Sequence, residues 1–299
     1  MAGQTAPGDG VCLRRYGITV DSHDVVIRFL RVRPGDIAGR EVDGMSIGGD
    51  SRNVVVDHCS VSWGVDECLS PSGGVTLHHN LWAHNQGRNP RLGDNYGKPP
   101  FPVHDVRNNV IYDFGGPSVA GDEFGANYVG NYLKPGPRTG RKAAFAPTER
   151  AKLRFFLQGN VFEEGPAEGV EYFTRPVEIL KRALEAPPVE TSAAKAAFED
   201  VLRSAGASAP LRDSIDRRIV AEVRSGGGSV IDSQWEAGGW PEYKSARPPV
   251  DRDRDGIPDA YEAAHGLNPN DAKDAMAGKD GNGYTNIEQY LNSLTSVKF

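Results

Sequence analysis

An all-β solenoid, a parallel β-helix, is the fold this 299-residue sequence predicts, and three observations predict it. First, a short strand running into a turn recurs: V-V-I-R-F-L at Leu30, V-V-V-D-H-C at Cys59, V-T-L-H-H-N at Asn80, V-R-N-N at Asn109, Y-V-G-N at Asn131 and L-Q-G-N at Asn160. Successive anchors are 29, 21, 29, 22 and 29 residues apart. Repeats of that length cannot bury an apolar face alone, so each stacks on its neighbours. Second, apolar residues alternate within the units (Val54, Val56; Val75, Leu77), the period of a strand with one face inward. Third, the last four anchors are asparagines, whose amides can bond the coil above and the coil below, as in the ladders of stacked sheets. A β-sandwich of short strands is the alternative, since 36 Gly and 21 Pro suit it too.

The coils are expected over residues 1–165. Residues 166–250 change character, with Pro187-Pro188 and Pro248-Pro249 flanking two helical patterns. Ala194, Phe198, Val201 and Leu202 fall on one helical face, and Ile215, Ile219, Val220 and Val223 on another. Asp213 reads as the N-cap of the second helix and Gly226 to Gly228 as its stop, so both helices are expected to lie across the outside of the coils.

Residues 251–299 read as a calcium module. D-R-D-R-D-G-I-P-D-A-Y-E places Asp251, Asp253, Asp255, Asp259 and Glu262 at positions 1, 3, 5, 9 and 12 of a calcium loop, with Gly256 at the sharp turn and the Ile257 carbonyl at position 7. Five acids on that spacing repel one another unless a hard divalent cation sits among them. A second half-site, D-G-N-G-Y-T-N-I-E, offers Asp280, Asn282, Asn286 and Glu288 and lacks an acid at the first position.

Charge and composition narrow the function. The net charge of −6 is unevenly spread: residues 251–299 carry nine acids and five bases, whereas residues 78–145 carry eight bases and five acids. The tail therefore suits a cation and the middle an anionic ligand. With no basic-aromatic stripe, nucleic acid is excluded as a partner, and no apolar run approaches the roughly 18 residues of a membrane span. Cys12, Cys59 and Cys68 allow one disulfide at most, and Cys12 and Cys59 lie in apolar strands where an inert buried thiol is expected. The chain opens at Met1 with no signal segment and no helix to cover the first coil. Either something else caps that end or preceding coils are missing, because an open solenoid end exposes strand edges.

Five segments, A-G-Q-T-A-P-G-D-G, V-D-H-C-S-V-S-W-G-V-D-E-C, H-H-N-L-W-A-H-N-Q-G-R-N-P-R, R-N-N-V-I-Y-D-F-G-G and N-Y-L-K-P-G-P, resemble the pectate lyases of polysaccharide lyase family 1, including secreted forms with a C-terminal calcium-loop module. The resemblance covers residues 2–139 and, more loosely, the tail to residue 290. It implies a right-handed β-helix, a secreted monomer, and Ca²⁺-assisted β-elimination on de-esterified polygalacturonate. By the same resemblance Asp43 and Asp66, with Glu67 adjacent, are the calcium ligands, Arg88 is the base that takes the C5 proton, and Arg91 pairs with a substrate carboxylate. Lys98 and Arg107 are further candidates for holding the polyanion. Two departures stand out: the acid expected four residues after Asp66 is Ser70, and the connection from Ser70 to Val75 is short. A polysaccharide-binding β-helix without turnover, and a polygalacturonase-type hydrolase, are the competing functions; the second needs acid–base carboxylates beside a histidine, a combination the motifs lack. His58, His78, His79 and His84 are given no catalytic role: the resemblance places Asp57-His58 in the family's strand motif, where structural hydrogen bonding is expected, and His78 and His79 alternate across one strand, which opposes convergence on a metal.

Overall fold

The computed structural model describes residues 1–140, 143–278 and 283–295. Strands stack into three faces, each built one strand per coil. The longest face holds His23–Arg28, Arg52–Asp57, Val75–His78, Val103–Arg107, Glu123–Val129 and Lys152–Gln158 in that spatial order. A second holds Cys12–Arg14, Arg31–Arg33, Ser60–Val61, Leu81–Ala83, Val110–Tyr112, Tyr132–Lys134 and Val161–Phe162. The third joins Ile18–Val20, Met45–Ile47 and Leu69–Pro71, and resumes beyond Leu92 with Ser118–Ala120 and Phe145–Pro147. Among the described residues every pairing between these strands is parallel, one coil to the next, and the body is a right-handed parallel β-helix. Glu178–Ile179 adds one more strand to the longest face, past residue 165.

The recurrences in the sequence are columns in space. Ile27 pairs with Val56, Val56 with Leu77, Leu77 with Val106 and Val106 with Tyr128, all buried at the centre of the coils. Each aliphatic member contributes on the order of 2 kcal/mol by leaving water. At the following bend the Asn80 amide donates to Asn109 Oδ1 at 2.9 Å, Asn109 to Asn131 at 3.0 Å and Asn131 to Asn160 at 3.1 Å. Each amide also donates back to a strand carbonyl one coil earlier, so these buried groups are satisfied. Cys59 N–H begins the ladder on Asn80 Oδ1, and Glu168 closes it on Asn160.

The residue before each anchor has positive φ: Phe29, His58, His79, Asn108, Gly130 and Gly159. Left-handed backbone favours Gly and Asn, which is why the later units read G-N or N-N. In the earlier units rings stack in place of glycine, with Phe29, His58 and His79 at successive centroid spacings of 5.0 Å.

Helices Ala194–Ser204 and Ser214–Ser225 lie against the second face, with Val201, Ile219 and Val223 on Leu81, Val110 and Tyr112. Asp213 caps the second helix by accepting Asp216 N–H, and Gly226 ends it in left-handed backbone. Arg33, fully buried in its strand, meets Asp213 at 3.3 Å and Asp216 beside it, fixing the helix to the sheet by charge as well as by apolar contact. The three cysteines are free; Cys59 and Cys68 are buried, and burial pushes the Cys59 thiol up to about 12. Cys12 is half-buried, in a strand at the edge of its sheet.

The first coil is covered from both chain ends. Met1 and Ala2 pair along Arg28, and the last helix, Asn286–Ser293, reaches the same arginine through Asn292 Oδ1, which accepts from Arg28 Nη1 at 2.9 Å. That helix packs with Ile257 and Ala275 around Tyr290 in a small apolar core of its own. Among the described residues no helix is long and apolar enough to cross a membrane.

Candidate active site

One corner of the solenoid gathers charged residues from three successive coils. Asp43 precedes Met45–Ile47, Asp66 and Glu67 precede Leu69–Pro71, and Arg88 precedes the segment that continues this face, where Arg91 N–H donates to the Leu69 carbonyl. Parallel stacking therefore sets residues 24 or fewer apart in sequence on adjacent layers, roughly 4.8 Å apart. Gly44 permits the approach: a Cβ there would stand 2.5 Å from the Cys68 carbonyl oxygen. Asp43, Asp66 and Glu67 each offer a carboxylate oxygen within 4.8 Å of the others. Asp43 accepts from Ser46 Oγ at 2.8 Å and from Glu67 N–H at 3.3 Å. Arg88 Nη1 lies 2.9 Å from Asp66 Oδ1 and also contacts Glu67. Arg88 itself has a φ of 50°, a conformation uncommon for a long side chain, which presents the guanidinium to the acids.

The electrostatics of the corner follow from crowding. Burial, then hydrogen bonding with Asp43 and Asp66, push the Glu67 carboxyl up to about 8, against the opposing pull of Arg88. Partial burial works against the Arg88 charge, but contact with Glu67 and the fields of Asp66 and Asp43 raise its proton affinity above the ordinary arginine value. Three converging carboxylates thus carry one guanidinium as countercharge. An all-oxygen donor set of this kind suits a hard cation such as Ca²⁺, and Asp43, Asp66 and Glu67 would hold it.

The other expected residues divide. Arg91 is half-buried on the same face, one coil below Leu69, and Lys98 is exposed in the loop that follows. Ser70 pairs with Ser46 in the third face, so the position where an acid was expected carries a hydroxyl beside the Asp43 partner. Arg107 is elsewhere: it ends a strand of the longest face, its Nε held by both oxygens of Asp105 at 2.9 and 2.7 Å and its Nη1 3.2 Å from Thr191. Ser46 is a residue the sequence did not single out; its signal is its place three residues after Asp43.

The histidines depart from strand alternation. Positive φ at His79 swings its ring out of the strand, edge-on to His78 at 4.2 Å, and Asp57 comes within 4.8 Å of both. His58 and Arg28 bind Asp57 at 2.6 and 2.9 Å. Burial opposes its charge, but His58 and these hydrogen bonds hold the carboxyl well below the usual range. The group lines a cavity of about 1130 Å³ between the first coils and the last helix. That cavity does not include the acid corner.

In the C-terminal loop Asp251, Asp253 and Asp255 converge, and a second trio joins Asp255 and Glu262 to Asp274. Gly256 has a φ of 95°, as the sharp turn requires, and Ile257 is buried beneath the loop. Glu262 is fully buried; burial and the neighbouring aspartates push its carboxyl up to about 7. Asp259 is not brought into either trio. Asp280 and Asn282 lie outside the described residues, while Asn286 and Glu288 serve the start of the last helix, where Glu288 completes a capping box with Thr285.

No family model matches the chain. Three curated proteins named "Probable pectate lyase C" are similar to it: from Aspergillus terreus, 30% identical over all of this chain and 79% of that protein; from Aspergillus flavus, 32% identical with the same coverage; and from Emericella nidulans, 30% identical over 98% and 77%. A solved pectate lyase from Bacillus sp. N165, in complex with trigalacturonate, is 16% identical with a TM-score of 0.47, covering 64% of this chain and 71% of that one.

Proposed function

This chain belongs to the pectate lyase family, and from that premise we propose that it cleaves de-esterified polygalacturonate by Ca²⁺-assisted β-elimination at the corner of Asp43, Asp66, Glu67 and Arg88, leaving unsaturated galacturonosyl ends. The observation that carries the reading is the placement of one guanidinium 2.9 Å from Asp66, over three converging carboxylates.

The proton on C5 of galacturonate is only weakly acidic while the adjacent carboxylate is anionic, and Ca²⁺ in the corner would withdraw that negative charge. The residues do the rest. Asp43, Asp66 and Glu67 would hold the cation, with Ser46 orienting Asp43. Arg88 takes the C5 proton while the C4–O glycosidic bond breaks and the C4=C5 double bond forms, the leaving oxygen taking a proton from solvent. In the arrangement described above its own proton is held by Glu67 and Asp66, so proton acceptance requires those carboxylates to turn their charge elsewhere. Turning those carboxylates away from Arg88 and deprotonating it are in this way one linked event. Arg91 pairs with a uronate carboxylate through its planar fork, and the exposed Lys98 adds a positive charge at the rim. Arg107 has no part in this reading, because Asp105 already neutralises it on another face.

In the same reading the protein is a secreted lyase of polysaccharide lyase family 1, and residues 251–299 are a calcium module. Purified protein is mixed with polygalacturonate at mildly alkaline pH, with Ca²⁺ or with EDTA, and absorbance of the unsaturated product is followed. Calcium-dependent growth that disappears in Arg88→Ala supports elimination. New reducing ends without absorbance would mean hydrolysis, and retention on the polymer without either signal would mean a binding protein.

A further inference from the structure

We propose that the C-terminal cation site is closed by Asp274, from outside the 251–262 loop, and that Asp259 is not one of its ligands; this rests on the reading of the loop as a calcium site. Loop spacing alone assigns position 9 to Asp259. Its carboxylate is already committed: Oδ1 accepts the Arg252 N–H at 2.9 Å, and Oδ2 lies 3.0 Å from Arg252 Nε. Asp274 instead meets Asp255 and Glu262. Its Oδ2 accepts the Asn268 N–H at 2.8 Å, which orients the side chain and leaves Oδ1 facing Asp255 and Glu262, with the three donor oxygens within 4.8 Å of one another.

The unpartnered oxygens point to a ligand. Asp251 spends its oxygens on Arg254 and Gly256 N–H groups, and Asp255 Oδ1 accepts from Ile257 N–H at 2.7 Å, so the loop is wrapped as a cation loop should be. Both oxygens of Asp253, Oδ2 of Asp255, both oxygens of Glu262 and Oδ1 of Asp274 are buried with no hydrogen-bond partner among the described residues. Glu262 is 0% exposed. Buried carboxylates without donors are tolerated when a cation satisfies them. Six such oxygens from four residues make the donor set of Ca²⁺, which takes 6–8 oxygens in an adaptable geometry.

Asp274 also gives the site a mechanical reach that the loop lacks. Its carbonyl accepts from Asn286 Nδ2 at 2.7 Å, at the first turn of the last helix, and that helix holds Arg28 of the first coil through Asn292. An ion bound by Asp274 therefore tightens the segment that seats the helix on the solenoid.

Full-length protein carrying Glu67→Gln, so that the acid corner does not contribute, is stripped with chelator and titrated with Ca²⁺ by calorimetry. Asp274→Asn, which keeps the acceptor for Asn268, should weaken binding by roughly tenfold or more, whereas Asp259→Asn and Arg252→Ala should change it by less than about threefold. Circular dichroism checks that each variant is folded, and Asp274→Ser replaces Asp274→Asn if that protein is not. Unchanged affinity in the Asp274 variant, or an equal loss in Asp259→Asn, would overturn the assignment and leave the loop reading standing. A parent that takes up no Ca²⁺ would overturn both.

Discussion

Two acidic groups in this molecule solve the same problem in opposite ways. At the solenoid corner, Asp43, Asp66 and Glu67 are provided with a guanidinium, and the Arg88 side chain remains 40% exposed. At the C-terminal site, Asp253, Asp255 and Glu262 of the loop and Asp274 from outside it leave six buried oxygens without any partner among the described residues. A group that carries its own countercharge can release and regain a cation while the fold stands. A group without one would depend on a cation for its structure. The first arrangement suits turnover on a polyanion, and the second suits a permanent staple.

The sharpest way to break this contrast is to remove the built-in cation. Arg88→Ala should cost about 10²–10⁴-fold in the rate of unsaturated product formation, the usual span for a lost proton-transfer group. Its melting temperature should hardly move, because a half-exposed ion pair contributes little to stability. A large loss of stability with modest loss of rate would reverse the roles assigned to the two sites. Next in size is the effect of Ca²⁺ on unfolding. At about 100 times its dissociation constant the ion should stabilise the C-terminal module by roughly 2.7 kcal/mol, and Glu262→Gln should abolish that gain in thermal or urea denaturation. Asp43→Asn should leave it intact. If Asp43→Asn removes the stabilisation and Glu262→Gln does not, the corner is the staple.

A third pairing, intermediate between these two, offers the smallest test. His84 sits between Asp113 at 2.8 Å and Glu222 at 3.2 Å, so its countercharge is titratable. Burial lowers its proton affinity, but the two acids outweigh that and raise its pKa above 6.5. A raised histidine contributes stability that is complete below about pH 6.5 and is lost as pH climbs through the folded value. Stability measured by denaturant titration should therefore fall on that alkaline side, and His84→Gln should flatten the dependence. A variant with an unaltered pH profile would mean that the imidazolium is not the form that binds Asp113.

The repeating part of this structure was legible because its contacts run at fixed register. Once Asn80, Asn109, Asn131 and Asn160 were aligned, strand pairing, ladder and inward residues came together, each coil repeating the constraint. The acid corner was legible through resemblance, and parallel stacking gives it a physical reason, since residues on adjacent layers at one corner are neighbours. What escaped had no such register. Asp274 approaches Glu262 only after the chain has passed through the helix Asp259–His265 and turned back, a path that loop spacing does not encode. Asp259 fits the motif but is claimed by Arg252, seven residues earlier. His79 defeats strand alternation through a single positive φ, and Arg107, a base within a basic segment, belongs to a face where Asp105 meets it.

Deuterium at C5 of polygalacturonate tests the central claim most directly. With Ca²⁺ present, the wild-type chain should form unsaturated product more slowly from the deuterated polymer than from the ordinary one, and Arg88→Ala should form almost none from either. Equal rates on the two polymers together with an active Arg88→Ala would contradict proton abstraction by Arg88 at this corner.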